Sequence, residues 1–466
     1  LVRVNDRCNN TIGLRYDRGV LAEVTDSGGR LLRFEHRADG RLARVCVRRR
    51  TTRDERWMEL ARYEYDPAGM LAAAFDAEGG PSRYGYRGGV LVKETDRNGH
   101  SYHFEYDWEH AEGWCVRTWG DGGIYDRRLT YDKHRHVTLV DDSRGGRTHY
   151  FGNAAGLVVK KIDPTGAVWR YEYDRGGRQT ALVDPLGGRT EREFDARGNK
   201  AVERDALGYE TRWTYGDHDL PIEVRDATGR VWRREHDARG LLTCAIDPDG
   251  AKRRYSYDER GRLVGAEDPL GRRMYIRRDP RGEPTEESDW EGNVTAYTTD
   301  DLGRRVSVRD AVGREVVFTR SDGGRLVSVR RSDGSVSAFD YDGEGRAIRV
   351  TDGRGRVTRY RYTAAGRVAG RTDPSGTSVS REYDTEQNLV AVVNARGEAH
   401  RMEYDLAGRL VRETTFGGRV HEYRYDKAGR RAEAVHASGR RTRFERGARG
   451  ELRALHAPDG ATVRYG

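Results

Sequence analysis

The sequence predicts an all-β chain, a strip of antiparallel β-hairpins with a 21-residue repeat. Three regularities predict it. Glycine returns every 21 residues without a break from Gly145 to Gly460. A second glycine series, offset by 11 residues, runs from Gly156 to Gly450 with only Asp219 and Gln387 out of step. Between the glycines lie segments of about five to seven residues rich in Val, Leu, Thr and Tyr, the usual strand length and too short for helical periodicity. Such a beat marks one supersecondary unit copied many times.

The copy Ala251 to Gly271, AKRRYSYDERGRLVGAEDPLG, shows each element in order. A strand, Arg253 to Tyr257, enters a first turn, Asp258 to Gly261; a second strand leads to a second turn, Asp268, Pro269, Leu270, Gly271. Asp at the head of each turn bonds the backbone two residues on, Pro presets φ, and Gly supplies a positive φ without steric cost. Hairpin tips are therefore expected at both glycine columns. Tyr131, Tyr173, Phe194, Tyr215, Tyr257, Tyr341, Tyr362, Tyr383, Tyr404 and Tyr425 form one aromatic column. Tyr171, Trp213, Tyr255, Tyr297, Phe318, Phe339, Tyr360 and Tyr423, two residues earlier, form another. Residues two apart share a face of a strand, so the columns predict an apolar face whose rings are buried or stacked on the ring 21 residues away. Charged residues such as Arg254, Arg359, Glu382 and Glu403 fall between them, on a wet face.

Residues 131–466 hold the regular repeats. Residues 1–130 hold irregular copies beginning at Tyr16, Tyr65, Tyr86 and Tyr106. Hydrophobic and charged residues are 35% each and the net charge is +9. That composition sits poorly with a solid core, while 26 tyrosines and 58 glycines argue against disorder. Of 85 basic residues only seven are Lys. A GC-rich genome accounts for that bias more simply than phosphate binding does. No apolar run approaches the length of a membrane span.

Motifs that carry chemistry are sparse. Cys8, Cys46, Cys115 and Cys244 are widely spaced without a CxxC pair, which suits structural or free thiols. His134, Arg135 and His136 beside Asp132 have the residue types of a metal site but the position of solvent-facing turn residues. The pairs Asp141–Asp142 and Asp300–Asp301 are explained by turn chemistry rather than acid–base catalysis. Trp108, Trp114 and Trp119 lie beside a glycine-rich stretch, Gly120 to Gly123, where the register breaks. Aromatic platforms suit sugar faces, and a longer hairpin packing its Trp residues on the sheet is the simpler reading. Arg48, Arg49, Arg50 and Arg53 have the charge to contact nucleic acid, but Asp54 and Glu55 dilute that field, and a solvated loop is expected. No catalytic, cofactor-binding or metal-binding residue is assigned, and no enzyme activity, nucleic-acid partner or membrane span is expected.

The YDxxGR turn, present as Tyr173 to Arg178, Tyr257 to Arg262, Tyr341 to Arg346, Tyr404 to Arg409 and Tyr425 to Arg430, resembles that of the Rhs/YD-repeat family. The alternating DPxG or DxxG turn strengthens the resemblance. The family includes bacterial Rhs polymorphic toxins and the repeat regions of teneurins and insecticidal toxin complexes. The resemblance implies that the strip winds into a hollow β-shell enclosing a polypeptide, which composition alone does not distinguish from a filled solenoid. It implies a non-catalytic encapsulating scaffold around a C-terminal toxin cargo of the same polypeptide. Secretion by a contact-dependent or type VI route, with the secretion machinery as partner, is part of the same expectation. The alternative is an extracellular adhesion or carbohydrate-binding repeat protein. The family's self-cleaving core is not seen as a unit, so the sequence reads as an excerpt of a wall.

Overall fold

The structure, a computed structural model, describes residues 2–50 and 55–465. Across those residues 44 strands run from Val2–Asn5 to Thr462–Arg464, each paired antiparallel with its sequence neighbours in one sheet that is not closed by strand pairing. Helical geometry among the described residues is confined to two three-residue turns, Asp121–Gly123 and Asp217–Asp219. The all-β expectation holds.

Both glycine columns are hairpin tips with the same turn. In the first turn of the copy above, the Gly261 N–H donates to the Asp258 carbonyl and the Asp258 N–H to the Arg262 carbonyl, each at 3.0 Å. Gly261 sits at φ 73°. Asp258 Oδ1 accepts from the Arg260 and Arg262 N–H groups at 2.9 Å. This is a type I turn followed by a left-handed residue, the three-residue hairpin loop. Asp219 and Gln387, the two residues out of step in the glycine series, adopt the same conformation at φ 58° and 59°.

The two hairpins of a unit differ in one respect. At the YD hairpin Ser256 faces Gly265 while Tyr257 faces Leu263, so Val264 is an extra residue on the outgoing strand; the DPxG hairpin, Glu267 facing Arg273, keeps register. The same bulge recurs at Tyr173, Tyr215, Tyr341 and Tyr425. Bulges bend a strand and add right-handed twist. In the regular repeats they line one edge only, while the irregular copies also break register at Val45/Cys46 and Thr118/Gly120 on the other edge, and the strip coils and returns on itself. Arg49 meets Asp301, Asn98 meets Asp342 and Arg449 meets Asp205, separations of 252, 244 and 244 residues. One winding is thus about 12 units or 24 strands. At about 4.8 Å per strand its circumference is roughly 115 Å and its diameter about 37 Å, leaving a lumen on the order of 25 Å wide inside a wall one sheet thick.

The faces depart from expectation in two ways. Aromatic rings are half-buried and no ring of either column stacks on its counterpart 21 residues away. The reason is spacing: that counterpart lies two strands over, about 9.6 Å, beyond the 4.5–7 Å of ring pairs. Cations from the strand between cover the rings instead. Arg305 lies 4.0 Å from the Tyr297 ring, Arg431 4.3 Å from Tyr423, and Lys200 4.0 Å from Trp213. The deepest burial is on the charged face. Ala181, Val202, Cys244, Gly265, Gly370, Ala391 and Ala454 recur in one column at the middle of the outgoing strands and are all buried, Ala181 and Ala391 to 1% exposure. Glu172 and Glu191 flank Ala181, and Arg189 bridges them at 2.6 and 2.7 Å. Long charged side chains lay their stems over small residues, so the wet face is a mesh rather than open surface.

Candidate functional site

The seam between successive windings is the arrangement with functional content, and its chemistry begins in the YDxxGR turn. The arginine that closes the motif clamps its own aspartate: Arg304 to Asp300 at 2.7 Å, Arg346 to Asp342 at 2.7 Å, Arg409 to Asp405 at 2.6 Å. It also reaches the next tip. Arg304 donates to the Asp322 carbonyl at 3.2 Å, and Arg346 and Arg409 lie 5.0 Å from the rings of Tyr362 and Tyr425. A Cβ on Gly366 would stand 3.0 Å from the end of the Arg346 side chain, which a small shift relieves, so glycine serves there chiefly for its φ of 80°. The tyrosine has its own role. Eight tyrosines, from Tyr173 to Tyr425, donate their hydroxyls to the carbonyl 15 residues earlier at 2.7 to 3.0 Å. Where the column holds Arg278, Arg320 or Arg446, the guanidinium donates to the equivalent carbonyl. Tip is thus tied to tip along one edge of the ribbon.

That edge meets the DxxG edge of the other winding. Arg49 Nε donates to both Asp301 oxygens at 2.7 and 2.9 Å, each side chain 14% exposed, and the Arg50 N–H donates to Asp301 Oδ2 at 2.6 Å. Asn98 donates to Asp342 and accepts from the Gly343 N–H, and Glu344 accepts from the Arg97 N–H at 2.8 Å. Glu386 holds the Arg127 guanidinium and the Ser143 N–H and hydroxyl. Arg144 donates to the carbonyls of Tyr404 and Asp405 at 2.6 and 2.8 Å. Burial pushes the Glu386 carboxyl up, but the hydrogen bonds from Arg127 and Ser143 outweigh it and hold the group below its ordinary 4.5. Asp342 behaves alike, burial being overcome by the Arg346 backbone and guanidinium and by Asn98.

The residues singled out in the sequence are scattered. Arg48, Arg49 and Arg50 end a strand, Leu42–Arg50, rather than a solvated loop; Arg49 is consumed by the seam, and Arg53 and Asp54 lie outside the described residues. Asp300 is a turn aspartate and Asp301 a seam residue; Asp142 accepts from two turn amides and Asp141 pairs with Arg147. His134 to His136 occupy a tip in which Asp132 accepts from the Arg135 N–H, and no metal-holding group of three His, Cys, Asp or Glu occurs among the described residues. All four cysteines are free thiols; burial pushes Cys46 and Cys115 up, and Cys8 packs on the Gly261 tip of the other winding. Trp108 stacks on His110, Trp114 stands edge-on to Tyr131, and Trp119 stacks on His103, three separate contacts rather than one platform.

The RHS Repeat family model matches residues 152–189, 217–252, 236–273, 341–378 and 383–420. These stretches of the chain carry Rhs repeats. The likeness of fold reaches further: the chain superposes on the crystal structure of TcdB2-TccC3 with TM-score 0.74 at 14% identity, over 99% of this chain and 30% of that one. It superposes on the Photorhabdus luminescens Tc holotoxin pore with TM-score 0.63 at 15% identity, over 96% of this chain and 29% of that one. The chain therefore spans about 30% of the toxin-complex chains it matches. No curated protein matches it. Among the described residues no helix is long and apolar enough to cross a membrane.

Proposed function

We propose that this chain is wall in an encapsulating scaffold of an Rhs-type polymorphic toxin, non-catalytic in itself, enclosing a C-terminal toxin cargo of the same polypeptide for delivery between cells. Residues 1–130 and 131–466 act as one continuous wall, and secretion by a contact-dependent or type VI machine follows from the same reading. The observation that carries it is surface. The protein exposes 27,447 Å², against about 17,700 Å² for a compact monomer of its mass. Both faces of the sheet are uncovered, and the aromatic one offers a half-buried lining that a polypeptide would cover. Resemblance in fold to toxin-complex chains supports the same reading.

The test uses the full-length protein and limited proteolysis. Deleting residues 257–298, two whole units, keeps every hairpin in register but slides the second winding two tips along the first, so that Arg49 no longer meets Asp301. Cargo that resists protease in the parent should become cleavable in the deletion. Equal protection in both, or a hydrolase or nuclease activity of this segment abolished by one point mutation, would overturn the proposal.

A further inference from the structure

We infer that the groove over Gly152 is a binding site for a phenolic ring, the side chain of a tyrosine in a polypeptide lying on the aromatic face. Position 152 belongs to the tyrosine column: from Tyr131 to Arg446 every other member of that column, taken at steps of 21, carries a side chain, and this one carries none. The wall beside it forms a groove of about 410 Å³, bounded by Trp114, Tyr131, Tyr150, Val137 and Val158. That volume and lining, aromatic with a few polar groups, are those of ligand sites. Trp114 stands edge-on to Tyr131 at 4.6 Å, and Lys133 lies 4.3 Å from the Trp114 ring, so the aromatic walls are held in place.

The repeat itself specifies the occupant. Eight tyrosines of the column place a hydroxyl on the carbonyl 15 residues back, and three arginines put a guanidinium N–H there. For position 152 that carbonyl belongs to Val137, in the groove wall. The mould is otherwise intact: the Gly152 N–H is bonded to the His136 carbonyl at 2.7 Å, and a Cβ at 152 would meet its nearest atom, the His136 carbonyl oxygen, at an ordinary 3.4 Å. A groove left where one ring of the column is missing has room for a ring supplied from solution. The carbonyl at its end selects a ring with a hydrogen-bond donor, and the edges of Trp114 and Tyr131 favour an aromatic over an aliphatic group.

Titrating N-acetyltyrosinamide into the whole chain, followed by saturation-transfer NMR, tests this. Wild type should bind it saturably. Gly152→Tyr, which fills the groove from within, should bind at least about tenfold more weakly and slow hydrogen exchange at the neighbouring amides. Trp114→Ala, which only removes a wall, should also lose about tenfold and keeps the test alive should Gly152→Tyr misfold. N-acetylphenylalaninamide, lacking the donor, should bind about fivefold more weakly than the tyrosine amide. Absence of saturable binding by wild type, or equal affinity in wild type and both variants, overturns the site. Equal affinity of the two amides overturns its selectivity for a phenol.

Discussion

Asp301→Ala would open the seam locally. Asp301 accepts two bonds from Arg49 Nε and one from the Arg50 N–H, and both side chains of the pair are 14% exposed. Removing the carboxylate leaves the Arg50 amide without its partner and strips a nearly buried guanidinium of its two short bonds. Breaking one member of a buried pair costs about 3–5 kcal/mol. Arg49 retains a longer contact with Asp300 at 3.6 Å, which favours the lower end. A repeat array need not unfold in one step, so a global melting curve is the wrong measure. Native-state hydrogen exchange at the Arg50 amide reads the seam directly: a loss of about 3 kcal/mol corresponds to protection falling by more than a hundredfold. Arg49→Met should produce a similar loss, and the double variant should cost at least about 1.5 kcal/mol less than the sum of the two. Protection changed by less than about threefold, or full additivity of the two substitutions, would refute the seam as a cohesive contact.

Three further outcomes follow from the same geometry. Gly250→Ala, at φ 87° with open space around its Cβ, should cost only the left-handed backbone, about 1 kcal/mol, whereas Gly261→Ala also drives a methyl into Cys8 across the seam and should cost clearly more by native-state hydrogen exchange at the tip amides; equal costs would remove Cys8 from the seam. Phe339→Ala should cost about 1.5 kcal/mol, half the value for a core phenylalanine because its ring is half-buried; a loss of about 4 kcal/mol would mean that something covers this face. Acid should dismantle the turns. Asp226 is drawn down to about 2, its Thr228 and Arg230 bonds outweighing burial, and Asp258, Asp300 and Asp426 lie below the ordinary 3.8 for the same kind of reason. A lowered folded-state pKa gives stability that is whole above the unfolded value and lost as pH falls through the folded one. Circular dichroism should therefore hold constant to about pH 4 and change between about pH 4 and 2. A transition near pH 6 would point instead to the histidines.

The turns were legible because their chemistry is local: Asp at the head, Gly at the left-handed position, and the carboxylate bridging two amides are all set within five residues. The 21-residue beat of Gly145 to Gly460 then dictated hairpins and strand neighbours. Seam partners were not legible, since Arg49 and Asp301 meet only after twelve units of accumulated twist. Their one signal was the split of the repeat into 10 and 11 residues, the extra residue being the bulge that coils the strip. Ring stacking failed for a reason the sequence contained, because a period of two strands sets equivalent rings about 9.6 Å apart. The role of the YDxxGR arginine, clamping its own turn and touching the next, needed coordinates to see.

Stability and opening are therefore separate properties of this wall. Within a winding each hairpin touches only its neighbours, through the tyrosine hydroxyls, the arginine clamps and the small-residue column, so cohesion is additive from unit to unit. Contacts of that kind hold a ribbon but do not close it. Closure rests on the seam, a line of tip-to-tip hydrogen bonds and ion pairs with little apolar area behind them, and such contacts weaken with acid and with salt where they are partly exposed. Arg127, 31% exposed, sits at a wetter point of that line than Arg49. Salt should accordingly raise hydrogen exchange at the Ser143 amide, which is bonded to Glu386, before it raises exchange at the Arg50 amide. The ordering follows from the exposure of the two arginines, Glu386 and Asp301 being about equally covered. Simultaneous loss at the two amides would mean that the windings part as a unit rather than unzipping from the wetter stretch.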